Sequence, residues 1–182
     1  MSNNKLFGVY LGGSAPRSNI ELHDVVFVVA EKIEDAYEEL MSLWFGSIDG
    51  LHIDSWIHLS IIDGHKITLS DIPPKNSLKL YFINMGAYAS GKFIEIHSNE
   101  FYVSEDKRDV IKRARDGLLK GSLQVHRDYI YEVDECLEVE KVGKFYIHLE
   151  QTNEPSIFEP VNAYHLIPKV LVKEYKEKMN LS

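Results

Sequence analysis

The sequence predicts an α+β protein made of two tandem ββαββ repeats packed as a pseudo-two-fold dimer, with a further helix at the C-terminus. Three observations lead there. The 182-residue chain matches itself without a gap at an offset of 74 residues. Each half carries runs rich in β-branched and aromatic residues around one helical stripe, and a separate apolar stripe closes the chain.

In the offset match, KLFGVYLGGSAPRSNIELHDVVFVVAE lies over KLYFINMGAYASGKFIEIHSNEFYVSE, and the register continues to set LHIDSWIHL over VHRDYIYEV. Thirteen of the 55 pairs are identical, among them Gly12/Gly86, Glu21/Glu95, His23/His97, Phe27/Phe101, Val29/Val103, His52/His126 and Asp54/Asp128. The expected bounds are 5–72 for the first repeat, 78–150 for the second, and 151–182 for a closing loop and helix. The Pro-containing stretch from Ile72 to Ser77 is the linker, too short to let the halves drift far apart.

LFGVYL and LYFINM are short apolar runs that end near glycine, and IELHDVVFVV and IEIHSNEFYV follow them, so each repeat opens with two strands. Ile33, Ala36, Tyr37, Leu40, Met41 and Trp44 recur on one face of a 3.6-residue period, as do Val110, Ile111, Ala114 and Leu118, which predicts one helix per half. Ser104 is the expected N-cap of the second helix. Two strands follow each helix, HIDSWIHLSII with KITLS and DYIYEVDE with KFYIHLE, the first pair turned by Asp63-Gly64. Residues 151–166 read as loop, and Pro168 opens a last helix striped by Val170, Leu171, Tyr175 and Met179.

Composition narrows the function. With 45% hydrophobic residues the chain can bury a core, and no run reaches the 18 or more apolar residues of a membrane span. The N-terminus has no secretory pattern, so a soluble cytoplasmic protein is expected. The single cysteine, Cys136, permits neither an internal disulfide nor a thiolate metal cluster. A net charge of −8 argues against nucleic acid as partner. Residues 1–74 hold 4 basic and 11 acidic side chains, whereas residues 75–150 hold 12 and 13, so the deficit of positive charge lies in the first half.

Residues two apart on a strand share a face. Each repeat therefore carries a Glu-x-His and a His-x-Asp that would converge if those strands face one another: Glu21, His23, His52 and Asp54 in the first, Glu95, His97, His126 and Asp128 in the second. Imidazole with carboxylate suits a polar ligand, a divalent metal or proton transfer. It equally suits histidines at the core's edge whose ring N–H groups are satisfied by carboxylates. Gly12 to Ser18 resembles a phosphate loop, but a strand follows where such loops need a helix N-terminus. No Ser-His-Asp, HExxH, Walker or dinucleotide fingerprint is present.

LGGSAPRSNIELHDVVFVV, LHIDSWIHLSIIDGHKI and KLYFINMGAY resemble the bacterial proteins grouped as domain of unknown function 1543, over roughly residues 5–150. The resemblance implies a bacterial cytosolic protein and carries over no activity, cofactor or catalytic residue. The expectation is a non-catalytic binding or interaction module for a small polar ligand or a partner protein. No cofactor is expected for such a module. The alternative is a small metal-dependent hydrolase with a divalent metal on His23, His52 and carboxylates, and Glu21 or Asp54 as general base.

Overall fold

The computed structural model describes residues 3–88, 91–121 and 130–181. It is a mixed α+β protein, mostly sheet, with three α-helices among the described residues, one of them C-terminal. The chain divides into two compact units, 1–60 with 157–182, and 61–156. The strand pair at 61–70, which the sequence assigns to the first half, thus lies in the second unit.

The first unit holds β1 (Lys5–Gly13), β2 (Leu22–Ala30), a 3₁₀ turn (Ile33–Ala36) running into α1 (Tyr37–Leu43), β3 (His52–His58), and from the tail β11 (Val161–Leu166) and α3 (Lys169–Met179). Its sheet has the order β11-β3-β1-β2, and all the pairings are antiparallel. Alternation decides the faces. Phe7, Val9 and Leu11 of β1 join Val26, Val28 and Ala30 of β2 and Ile53 of β3 in a core covered by Leu40 and Met41 of α1 and Tyr175 of α3. Each fully buried large side chain there contributes about 1.5–3 kcal/mol. His23, Phe27 and Val29 have the opposite parity, so their face is the one turned away from this helix-covered core, not a continuation of it.

The segment read as loop, 151–166, contains β11. Its pairing with β3 satisfies backbone groups that would otherwise form a sheet edge. Pro168 stands immediately before α3, as expected, and Asn180 ends that helix in the left-handed conformation at φ 54°.

The second unit contains β4 (Ile61–Ile62), β5 (His65–Ser70), β6 (Lys79–Tyr88), β7 (Ile96–Ser104), α2 (Lys107–Gly121), β8 (Ile130–Val139), β9 (Lys141–Val142) and β10 (Phe145–Gln151). They make a three-stranded sheet β7-β6-β8 and a four-stranded sheet β4-β5-β10-β9. Tyr81, Ile83 and Met85 of β6 pack against Val110 and Ala114 of α2, with Cys136 of β8 beside them. The Asp63-Gly64 turn is as expected: both residues have positive φ, 52° and 70°, the geometry of a two-residue hairpin loop. Ser104 is not the helix cap. Asp106 accepts from the Arg108 amide at 2.8 Å, while Ser104 accepts from the Asp106 amide at 3.2 Å and donates to Asp109 at 3.0 Å.

Among the described residues no helix is long and apolar enough to cross a membrane.

Candidate functional site

Glu21, His23, His52 and Asp54 converge in the first unit. Gly12 is the reason they can. It pairs with His23 on one side and His52 on the other, so the two imidazoles flank one glycine in a lateral row across β2, β1 and β3. The β1–β3 register jumps from Leu11↔Ile53 to Tyr10↔Ser55, leaving Asp54 as the extra residue of a β-bulge. Bulges re-aim side chains. This one brings the Asp54 carboxylate beside both imidazoles.

The contacts alternate around a ring. His52 Nε2 lies 3.1 Å from Glu21 Oε1 and 3.3 Å from Asp54 Oδ1. His23 Nε2 lies 3.1 Å from Asp54 Oδ2 and 3.7 Å from Glu21 Oε2. Each carboxylate thus splits its oxygens between the two rings. A Cβ on residue 12 would sit 2.6 Å from both Asp54 Oδ2 and His52 Nε2, so the cluster occupies the space that only glycine leaves open.

Burial is graded. The His52 side chain is 1% exposed, Asp54 27%, His23 35% and Glu21 49%, so the cluster has a closed floor and an open mouth. Tyr164 of β11 lies over His52 with ring centroids 4.2 Å apart, and Tyr10 stacks on His23 at 5.1 Å and 5°. Burial, reinforced by the Asp54 charge, raises the Tyr10 phenol above its ordinary range.

His52 Nδ1 is 2.8 Å from the Gly50 carbonyl, which only accepts, so Nδ1 carries the proton. In the neutral ring Nε2 is then a lone-pair acceptor facing carboxylate oxygens. Its contacts are at ion-pair distance without hydrogen-bond alignment: His52 Nε2 and Asp54 Oδ2 are both buried with no hydrogen-bond partner. Buried polar groups are normally satisfied, so two such atoms without a partner need an explanation. Among the described residues, no three or more His, Cys, Asp or Glu are placed to hold a metal ion. A concave groove elsewhere in this unit, lined by Leu51, Ile167 and Val172, includes none of the four residues.

The second half differs. His97 lies 3.6 Å from Glu95 and pairs with Gly86, matching His23 and Gly12. Opposite Gly86 on the other side, however, stands Glu132, not a histidine. Residue 132 follows residue 52 by 80 positions, not 74. α2 has 15 residues against 11 for the 3₁₀ turn plus α1, and the ungapped offset cannot register such a length change. His126 and Asp128 lie outside the described residues. Sequence reasoning missed Tyr10, Gly12 and Tyr164 as parts of the cluster; the shared Gly12/Gly86 was the one available signal.

A family described as Domain of Unknown Function (DUF1543) matches residues 18–69, which span Glu21 to Asp54. A solved structure, "Crystal structure of a protein Il1583 from Idiomarina loihiensis", is 34% identical over 91% of this chain and 99% of that one, with a TM-score of 0.72. The chain belongs to the DUF1543 family. No curated protein matches it. The family description names no activity, and the similar structure's title names none, so the chemistry rests on the side chains.

Proposed function

We propose that this family member is a non-catalytic binding module whose first half takes a small cationic ligand at Glu21, His23, His52 and Asp54. One observation carries the reading. The lone pair of a buried imidazole, with its other nitrogen committed to Gly50, points among carboxylate oxygens and finds no donor. A ligand that brings positive charge supplies what the site lacks.

The same reading treats the two halves as tandem copies of one ββαββ unit arranged as a pseudo-two-fold pair. Support comes from registers that agree at the 74-residue offset: β1 with β2 and β6 with β7 pair alike, and both inner pairs carry a bulge, at Tyr10/Leu11 and Asn84/Met85. The copies have parted at the site, where His52 faces Gly12 and Glu132 faces Gly86.

The test is a set of amide chemical-shift titrations on the full chain with Zn²⁺, Mg²⁺, ammonium and putrescine as separate probes. Saturable shifts at residues 10–13, 21–23 and 50–54 with at least one probe support the reading. Silence at those residues with all four would remove it.

A further inference from the structure

We infer that a groove of the first unit, separate from the four-residue cluster, binds a medium-chain carboxylate of the decanoate kind. The groove measures about 580 Å³ and lies between the segment 49–51 and α3. Its α3 residues, Lys169, Val172, Lys173, Lys176 and Glu177, follow one another at helical spacing, so a single face of the helix forms that wall. Small-molecule sites typically hold roughly 300–1,000 Å³, and this groove falls within that range.

Two kinds of surface meet there. Leu51 and Ile167 are buried and make an apolar floor, while Leu166 and Leu181 leave 57% and 48% of their surface open on the same groove. Exposed apolar surface rimmed by charge marks a binding site, and an alkyl chain would cover it. Charge then selects the head group. The whole chain carries a net charge of −8, yet the lining of the groove reverses that sign, with Lys169, Lys173 and Lys176 against Asp49 and Glu177. Asp49 holds Lys176 at 2.9 Å and Glu177 faces Lys173 at 3.7 Å, so both carboxylates are committed. Lys169 makes no ion pair among the described residues, which leaves one ammonium for one negative charge. A carboxylate matches that count, whereas a phosphate monoester brings about −1.5 to −2 at neutral pH.

The test titrates the full chain with decanoate, below its micelle concentration, and follows amide chemical shifts. Saturable shifts are expected at residues 49–51, 166–173 and 176–181. Octanoate and hexanoate should bind progressively more weakly, each lost CH₂ costing up to about fourfold in affinity. Decanol, which has the chain without the charge, should bind more weakly than decanoate. Lys169→Gln should weaken decanoate by about two- to fivefold, the worth of a solvated ion pair, and Lys169→Glu by more, with decanol unchanged by either. Lys169 is exposed in the first turn of α3, where glutamate also suits the helix dipole, so the variants keep the fold. Absence of saturable shifts at those residues, an affinity independent of chain length, decanol binding as tightly as decanoate, or a decanoate affinity indifferent to Lys169→Glu overturns the inference. So does the same set of shifts on raising protein concentration alone, which would give the groove to a second copy of the chain.

Discussion

Gly12→Ala tests the cluster's geometry through stability alone. The new Cβ would lie 2.6 Å from His52 Nε2 and from Asp54 Oδ2 and 3.1 Å from His52 Cε1, where ordinary contact begins near 3.4 Å. His52 cannot yield: it is 1% exposed, tied to Gly50 and covered by Tyr164. Asp54 is 27% exposed and can, at the loss of its place beside His23. Overpacking of this kind costs about 1–3 kcal/mol, whereas replacing glycine in a strand interior returns roughly 0.5–1 kcal/mol. The clash wins, and the net loss should be about 1–2 kcal/mol. Both tryptophans, Trp44 and Trp56, lie in the first unit, so their fluorescence during urea unfolding reports on the affected region. With a slope of about 1–1.5 kcal/mol/M for a unit of this size, the midpoint should fall by about 1 M. Adding Asp54→Ala removes one of the two obstructing side chains, and the pair should couple by about 0.5–1 kcal/mol. An unchanged or higher midpoint in Gly12→Ala would refute the close approach of imidazole and carboxylate over residue 12.

Three further outcomes are expected. In the second unit Asp63 accepts from Arg113 Nη2 at 2.6 and 2.7 Å and from the Val103 amide at 2.9 Å, so Asp63→Asn, which keeps the left-handed turn, should cost about 1.5–3 kcal/mol in chemical denaturation; an unchanged midpoint would show the network to be dispensable. Burial, aided by the Lys5 charge, lowers the His58 imidazole, so the unfolded chain takes up that proton first as pH falls below about 6.5 and stability drops through the folded value. His58→Gln should flatten stability against pH in that window, and an identical slope in both proteins would contradict it. Burial, then the hydrogen bond to Glu100, raises the Tyr102 phenol far above its ordinary range, so the unfolded chain releases that proton first above about pH 10 and stability is lost as pH rises towards the folded value. Absorbance titration should show Tyr102→Phe to lack the last-ionising tyrosine; persistence of that component would reassign it.

The sequence made the strands and helices legible where periodicity was strong. The alternation of Phe7, Val9 and Leu11 and the stripe through Leu40 and Met41 mark elements whose burial the structure bears out. It failed where pairing, not propensity, makes the element: Val161–Leu166 reads as loop because its strand exists by virtue of the free edge of β3. The four clustered residues of the first unit were legible because strand parity puts Glu21 with His23 and His52 with Asp54. Their meeting was not, since it depends on the lateral pairing at Gly12 and the bulge at Asp54, which are tertiary facts. The 74-residue offset pairs His52 with His126, whereas the residue opposite Gly86 is Glu132; an ungapped match registers no difference in helix length.

The most direct measurement is the tautomer of His52, read from long-range proton–nitrogen correlations of the imidazole nitrogens at pH 8, above the ordinary imidazole range. The geometry predicts a protonated Nδ1, held by Gly50, and a bare Nε2. A proton found on both nitrogens would make the cluster a closed ring of imidazolium and carboxylate that satisfies itself, and would contradict a site that lacks a cation.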